Sequence, residues 1–200
     1  MPPCCKIIDF ARANSITYNE EAKKLKTKDI TFIALMSAVM CVLGPLSVNI
    51  PISPVPISLG ILAMLLSVYV LGRNKALFSC FIYILLGAVG VPVFSGFSGG
   101  LSKLVGPTGG YIVGYLPLIF IGGVFVAKYK NIWLQVAGLV LGVLVCYALG
   151  TAWLAYSAHM TFGKALMAGV IPFIPADAVK IIIAALLGRT LQSKLKNILN

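Results

Sequence analysis

Apolar residues are collected into six long segments, which Gly, Pro and charged residues separate. The segments cover residues 30–48, 57–71, 77–91, 109–127, 132–157 and 176–191. In lipid an isolated strand leaves its backbone N–H and C=O groups without partners, whereas a helix satisfies them internally. The pattern therefore predicts an all-α integral membrane protein with six transmembrane helices in a single bundle.

Three of these segments are short for a membrane span. At a rise of about 1.5 Å per residue, the second, third and sixth reach about 22 to 24 Å, whereas the hydrocarbon core is about 30 Å thick. We expect these helices to borrow flanking residues or to stop short around a cavity.

The basic residues divide the connections into two sides. Six spans put the N-terminal tail, the turns 72–75 and 128–131 and the C-terminus on one side. That side carries thirteen of the sixteen Lys and Arg residues: Lys6, Arg12, Lys23, Lys24, Lys26, Lys28, Arg73, Lys75, Lys128, Lys130, Arg189, Lys194 and Lys196. The opposite side carries Lys103 and Lys164, and Lys180 lies within a span.

The positive-inside rule then predicts the domain organisation, with both termini in the cytoplasm. Residues 1–28 form a charged cytoplasmic tail that contains no apolar core of signal-peptide length. Residues 29–195 form the membrane domain, and residues 196–200 form a cytoplasmic end. This organisation is that of a multi-pass protein of the cytoplasmic membrane.

Composition excludes a soluble globular domain. The chain is 60% hydrophobic and 10% charged, with a mean hydropathy of +1.00. Its formal net charge of +11 would suggest a nucleic-acid partner in a soluble protein. Here the basic residues flank apolar segments, so we expect them to contact membrane lipid and no nucleic acid.

The sequence offers little material for catalysis. It has no G-x-x-x-x-G-K-[ST], so it does not hold ATP in a phosphate-binding loop of that kind. It also lacks G-x-S-x-G, H-E-x-x-H and C-x-x-C motifs, and His159 is its single histidine. We predict that the chain is not an enzyme, binds no metal or cofactor, and can use ATP only through partner subunits.

One ionisable pair lies within an apolar segment. Asp177 is the only acidic residue after residue 29, and Lys180 follows it by three positions near the start of the sixth segment. Residues three apart share a helix face, and charge within a membrane is costly. The pair either caps and neutralises its own helix, or faces a cavity where the carboxylate accepts from ligand N–H groups and the ammonium donates to a ligand carbonyl.

Two long outer connections are candidates for a binding surface. They span residues 46–58 and 91–108 and are rich in Pro and Gly. Lys103 is the only cation in the second, which also contains Gly96. Several aromatic residues lie in these loops or near the outer ends of spans, where they either anchor the protein at the interface or form a pocket wall. These are Phe94, Phe97, Tyr111, Tyr115 and Trp153.

Two glycine pairs at helical spacing predict close helix packing. Gly110 with Gly114, and Gly138 with Gly142, each leave a smooth strip on one helix face. Such strips let two backbones approach within a bundle.

Four stretches together resemble the BioY family, the biotin-specific substrate-binding components of energy-coupling-factor transporters. They are PVPISLG (54–60), GAVGVPVF (87–94), GPTGGYIVGY (106–115) and PFIPADAVK (172–180). The resemblance covers residues 30–195, and the third and fourth stretches, in this order and separation, are jointly specific.

The resemblance implies a six-helix bundle that binds biotin near its outer face and imports it with a transmembrane coupling subunit and ATPase subunits. Asp177 would accept from the ureido N–H groups of biotin, and Lys180 would donate to the ring carbonyl or orient Asp177. Ala34 and Ala38, four residues apart on the first helix, would dock against the coupling subunit.

The apolar part of biotin would be lined by Phe94, Tyr111 and Trp153, and Tyr83 could add a hydroxyl. Lys103 would pair with the biotin carboxylate. Backbone N–H groups of the glycine-rich loop around Gly96 compete for that role.

Three alternatives remain open from the sequence. The first is capture of a different small vitamin. The second is an intramembrane enzyme in which Asp177 and Lys180 transfer a proton, although one carboxylate supplies neither an acid–base pair nor a metal cage. The third is a purely structural subunit.

Overall fold

The computed structural model describes residues 27–48 and 54–199, with side chains described as far as residue 194. The predicted tail 1–28 lies almost wholly outside the described residues, as do positions 49–53 of the first outer loop. The described part is helical except for one two-stranded hairpin. The all-helical prediction is therefore confirmed.

Seven helices and two short strands follow one another along the described chain. The helices are α1 (Thr27–Leu43), α2 (Gly60–Val89), α3 (Leu101–Val105), α4 (Gly109–Lys128), α5 (Ile132–Ser157), α6 (Phe162–Gly169) and α7 (Ile174–Leu199). Strands β1 (Ser47–Val48) and β2 (Ile57–Ser58) pair antiparallel, with Ser47 opposite Ser58.

Within the described residues, α2, α4 and α5 are each long and apolar enough to cross a membrane. Helices α6 and α7 are joined by a short break and bent by 50°, and together they pass as a fourth, broken span.

Helix α2 folds back on itself at Gly72. A straight helix of 30 residues would be about 45 Å long. Yet both ends of α2 lie close to Gly44. At the start of the helix, an ideal Cβ on Gly60 would lie 3.7 Å from the Gly44 Cα. Just after its end, the Val93 carbonyl oxygen would lie 2.6 Å from an ideal Cβ on Gly44. Gly72 has φ +72°, a left-handed conformation that glycine adopts without strain. We call residues 60–71 the first arm of α2 and residues 73–89 its second arm.

The first helix ends earlier than the apolar pattern predicts. We expected it to cover residues 30–48, but α1 stops at Leu43 and the chain turns into β1. Pro45 explains the difference, because proline disfavours a helical conformation in the residue before it and has no N–H to donate. The residues after the turn form the hairpin at the mouth of the candidate site.

Several charged residues lie together at one end of the bundle. Lys75 on the second arm pairs with Asp29 on α1 at 2.6 Å. Arg73 packs against Gly123 near the end of α4, and the Arg189 guanidinium donates to the Lys130 carbonyl. We call this the basic end. The opposite end, formed by residues 44–48, 54–59, 90–108 and 158–173, is the loop end.

Helices α4 and α5 pack closely at the predicted glycines. A Cβ added at Gly142 would lie 2.8 Å from the carbonyl oxygen of Leu118, and one at Gly114 would lie 2.9 Å from the Cys146 Sγ. Gly110 likewise faces Trp153, and Gly138 faces Phe125. The prediction that these glycines serve packing within the bundle is confirmed.

Replacing Gly142 with alanine should separate α4 from α5, because the new methyl group would meet backbone that cannot rotate away. We expect the free energy of unfolding to fall by about 1 to 3 kcal/mol. Gly163→Ala is the matched control, since a Cβ at Gly163 of α6 meets nothing within 4 Å. Thermal unfolding of the two purified variants in detergent measures the difference, and equal melting temperatures would contradict this account of the α4–α5 contact.

Candidate functional site

The site is built around Asp177 and Lys180 in the first turns of α7. Their side chains are 2% and 7% exposed, and Lys180 Nζ lies 2.7 Å from Asp177 Oδ1. Helix α7 begins at Ile174, just after Pro172 and Phe173. Three-residue spacing puts both side chains on the inward face of that helix.

Two other elements complete the hydrogen bonding of the pair. The Tyr147 hydroxyl on α5 donates to Asp177 Oδ2 at 2.5 Å, and Lys180 Nζ also donates to the Ser58 carbonyl oxygen at 2.7 Å. Both carboxylate oxygens and two of the three ammonium donors are therefore engaged. Removal of an ion from water costs several kcal/mol, and only a well-satisfied geometry of this kind offsets that cost.

Helix capping does not account for Asp177. Its backbone N–H donates to the Phe173 carbonyl oxygen at 2.8 Å, so the residue already lies inside the helical turn. Its carboxylate accepts from the side chains of Tyr147 and Lys180. The pair joins three separate parts of the fold, namely α7, α5 and the hairpin before α2.

A small cavity lies beside Lys180 at the loop end. Its volume is about 30 Å³, which is the room that about one or two water molecules need. It is lined by Val55, Pro56, Ser58, Ile61, Tyr111, Tyr115, Tyr147, Phe173 and Lys180. The site is thus closed in this structure, with the hairpin segment forming one wall and tyrosines forming another.

A larger apolar groove reaches the same pair from the side. It lies between α5 and α7, has a volume of about 330 Å³, and includes Tyr147 and Asp177 in its lining. Asp177 lines this groove and Lys180 lines the inner cavity, while Tyr147 borders both. The ionic pair therefore forms part of the partition between the two spaces.

Tyr111 is a predicted site residue that the structure brings to the cavity. Its hydroxyl donates to the Gly169 carbonyl oxygen at 3.0 Å and lies 3.5 Å from Thr151 Oγ1. It links α4 to α5 and to the end of α6. Its ring forms part of the cavity wall, where an apolar portion of a ligand would pack.

Phe94 and Tyr83 pack against each other and lie outside the cavity lining. Their ring centroids are 5.6 Å apart in an edge-to-face arrangement, and the Tyr83 hydroxyl donates to the Val93 carbonyl oxygen. Gly96 lies in the same outer turn with φ +75°, and its N–H donates to the Pro45 carbonyl oxygen. In this structure the three residues shape the loop that stands beside the site.

Trp153 and Lys103 also lie outside the cavity lining. The indole N–H of Trp153 donates to the Gly106 carbonyl oxygen at 3.0 Å, which ties α5 to the glycine-rich stretch before α4. Lys103 lies on α3 in the second outer connection and is partly exposed.

The two candidate docking alanines have open surroundings. Ala34 and Ala38 are both exposed on α1, next to exposed Leu35 and Val42. The opposite face of α1 is held to the second arm of α2, where Ser37 Oγ and Ser79 Oγ are 3.0 Å apart.

Sequence reasoning did not select Ser58, Tyr147 or Phe173, which the structure places in the site, and it named Tyr115 only among the outer aromatic residues. Tyr115 follows Tyr111 by one helical turn, and this spacing placed it on the same face. Tyr147 lies in the middle of an apolar helix, where a buried hydroxyl needs a partner. Ser58 contributes a backbone carbonyl, which no side-chain pattern reveals.

Among residues 27–48 and 54–199, no three His, Cys, Asp or Glu side chains come together in a way that could hold a metal ion. The polar groups at the cavity are one ammonium, tyrosine hydroxyls and a backbone carbonyl, with one carboxylate behind them. This set can donate to a carbonyl oxygen and accept from N–H groups.

Comparison with known proteins gives consistent matches over most of the chain. The model of the BioY family matches residues 18–197. A probable biotin transporter BioY of Pyrococcus horikoshii is 39% identical over 168 residues, which cover 84% of this chain and 98% of that protein. The biotin transporter BioY of Thermotoga maritima is 39% identical over 145 residues, which cover 72% of this chain and 85% of its own.

A solved structure matches the fold as well. The crystal structure at 2.1 Å of the S-component for biotin from an ECF-type ABC transporter has a TM-score of 0.79 and 29% sequence identity. The match covers 86% of this chain and 94% of the other. With a family model matching nearly its whole length, close relatives and a shared fold, the chain belongs to the BioY family.

Proposed function

We propose that this protein captures biotin and takes it up across the membrane as the substrate-binding subunit of an energy-coupling-factor transporter. Relatives named as biotin transporters match over most of their length, and the structural neighbour is an S-component for biotin from an ECF-type ABC transporter. The chain is a transporter component and not an enzyme. The single observation that carries the proposal is the buried Asp177–Lys180 pair beside an aromatic cavity at the loop end.

The chemistry of the pair matches the ureido ring of biotin, which offers two N–H donors and one carbonyl. The Asp177 carboxylate has lone pairs left after its bonds to Tyr147 and Lys180, and these accept from the ureido N–H groups. Lys180 donates to the ureido carbonyl, and the Ser58 carbonyl occupies an equivalent acceptor position in the closed site.

The rest of the ligand finds apolar partners around this pair. Tyr111, Tyr115 and Phe173 provide rings against which the thiophane ring and the aliphatic chain pack. Phe94, Trp153 and Tyr83 lie outside the lining of the closed cavity, and they extend its aromatic wall when the site opens. The biotin carboxylate reaches Lys103 or the backbone N–H groups around Gly96.

Biotin entry requires the site to open. A cavity of about 30 Å³ does not hold a bicyclic ligand. The hairpin segment 54–58 forms one wall of the cavity, and Lys180 holds it by donating a hydrogen bond to the Ser58 carbonyl. When that hydrogen bond breaks, Lys180 can donate to the ligand carbonyl instead.

We further propose six spans with both termini in the cytoplasm, in the cytoplasmic membrane of a prokaryote. The reversal at Gly72 gives α2 two crossings, and α1 and the bent α6–α7 unit add two more to those of α4 and α5. The first arm of α2 has only 12 helical residues, which is short for a membrane crossing. The hairpin and the cavity lie before its first residue and occupy the rest of the membrane thickness on that side. The clustering of cations at the basic end supports its cytoplasmic orientation.

Any energy from ATP would reach this protein through a transmembrane coupling subunit and ATPase subunits, because the chain has no phosphate-binding loop of its own. The protein needs no cofactor or metal, and biotin is its cargo. Ala34 and Ala38 on α1 form the docking strip for the coupling subunit, since their small side chains allow a partner helix to approach closely.

The protein purified in detergent should bind labelled biotin saturably, and other vitamins should not compete. Asp177→Asn and Lys180→Met should each weaken biotin binding by about 1 kcal/mol or more, or about fivefold, because each removes a charge-assisted hydrogen bond. Equilibrium binding with increasing biotin measures both effects.

Asp29→Asn is the matched control for this experiment. It breaks the Asp29–Lys75 pair at the basic end, and we expect biotin affinity to stay unchanged. The double variant Asp177→Asn with Lys180→Gln leaves no unpaired buried charge, so it remains informative if a single variant unfolds. Well-folded protein without saturable binding would refute the proposed function, and unchanged affinity in all three site variants would reduce the pair to a structural role.

Ala38→Trp should block assembly with the coupling subunit and leave biotin affinity intact, because the bulky ring prevents close approach at α1. Co-purification of the coupling subunit and biotin binding are the two measurements. Leu141→Trp, at an exposed position of α5, is the control that should change neither. Normal assembly of Ala38→Trp would show that the partner docks elsewhere.

A further inference from the structure

A cleft of about 450 Å³ lies at the basic end, remote from the biotin site. It is formed where the turn between the two arms of α2 meets the last turns of α4. Arg73, Lys75 and Lys128 line it, together with the small residues Gly123 and Ala127. The lining contains three cationic side chains and no acidic one.

Among residues 27–48 and 54–194, two of these three charges have no acidic partner in an ion pair. Lys75 is paired with Asp29 at 2.6 Å, which is one of two ion pairs in the described part of the chain. The other is Asp177–Lys180 in the biotin site. Arg73 and Lys128 therefore leave a net positive charge in the cleft, which an anionic group would balance.

Aromatic rings lie beside both cations. The Arg73 guanidinium carbon lies 5.2 Å from the ring centroid of Phe120 on α4, and its Nε donates to Asn74 Oδ1. Lys128 Nζ lies 5.4 Å from the ring centroid of Tyr129. Phe120 is itself half exposed on the outer surface of the bundle. These contacts fix the positions of the charges and leave guanidinium and ammonium N–H groups free to donate.

An apolar groove of about 410 Å³ continues from the cleft toward the middle of the bundle. It is lined by Leu77, Phe78 and Phe81 on the second arm of α2 and by Leu116 on α4. Asn74 lines both spaces and marks where the basic cleft passes into the groove. A single continuous surface thus offers cations at the basic end and aromatic side chains deeper in the bilayer.

We infer that this surface binds one anionic phospholipid, with its phosphate in the cleft and an acyl chain along the groove. The ligand must be anionic at one end and long and apolar at the other. A free phosphate would satisfy only the cleft, and an acidic peptide would leave the groove of Phe78 and Phe81 unfilled. Basic pockets on the cytoplasmic side of helical membrane proteins bind acidic headgroups through the same forces.

The test uses the full-length protein in lipid nanodiscs or detergent, with phosphatidylglycerol and phosphatidylcholine of identical acyl chains as probes. Native mass spectrometry measures the bound fraction of each. The wild type should retain phosphatidylglycerol preferentially, and Arg73→Gln with Lys128→Gln should reduce that preference by about 25-fold, since each basic residue near an anionic surface contributes about fivefold. Excess inorganic phosphate should not displace the lipid.

Lys130→Gln with Lys194→Gln is the matched control, because it removes two exposed charges from the same end without touching the cleft. This control should keep the wild-type preference. Leu116→Trp, which fills the groove, should lower retention of both lipids. All variants should bind biotin as the wild type does, which verifies that they are folded.

Several results would overturn the inference. They are equal retention of the two lipids by the wild type, equal losses in the cleft and control variants, or full displacement by inorganic phosphate. A cleft variant that keeps its lipid preference but no longer assembles with the coupling subunit would assign the cleft to a protein partner and overturn the lipid site. Each outcome is separate from the biotin-binding test.

Discussion

The buried ion pair of Asp177 and Lys180 is the interaction on which the rest of this structure depends. A carboxylate and an ammonium inside an apolar bundle are stable only if their hydrogen-bonding groups are satisfied, and removal of one partner typically costs about 3 to 5 kcal/mol. The pair obtains its partners from Tyr147 on α5 and the Ser58 carbonyl in β2. The orientation of α7, the rotation of α5 and the position of the hairpin are consequently fixed together.

Because Lys180 already has a hydrogen-bond acceptor in the closed site, a ligand has to compete with that acceptor, and such an exchange suits a binding protein. Lys180 donates to a backbone carbonyl in the closed site, and a ligand carbonyl can replace it without leaving the ammonium unpaired. Exchange of one acceptor for another keeps the cost of opening low, since the number of hydrogen bonds is conserved. The tyrosines around the cavity offer both ring faces and hydroxyls, so the wall adapts to an amphipathic guest. Specificity then follows from the arrangement of polar groups on the ligand, whose N–H groups must reach Asp177 while its C=O group reaches Lys180.

Much of this arrangement could be predicted from the sequence because it depends on local spacing. The apolar segments gave the helices, the glycine pairs gave the α4–α5 contact, and the three-residue interval gave the Asp177–Lys180 pair. Tertiary features could not be derived in this way. Tyr83, Phe94 and Trp153 have the right chemistry, but their positions on α2, in the following loop and on α5 place them beside the cavity and not in its lining. Ser58 acts through its backbone, and α1 stops at Leu43 because the Gly44–Pro45 turn overrides an apolar pattern that continues to residue 48.

A structure of the protein with biotin bound tests the central claim most directly. The account predicts the ureido ring at the loop end, with its carbonyl about 3 Å from Lys180 Nζ and an N–H within hydrogen-bond distance of the Asp177 carboxylate. It also predicts that Lys180 no longer contacts the Ser58 carbonyl. A complex in which biotin binds elsewhere, or in which its ureido ring contacts neither charged side chain while the Lys180–Ser58 bond persists, would contradict it.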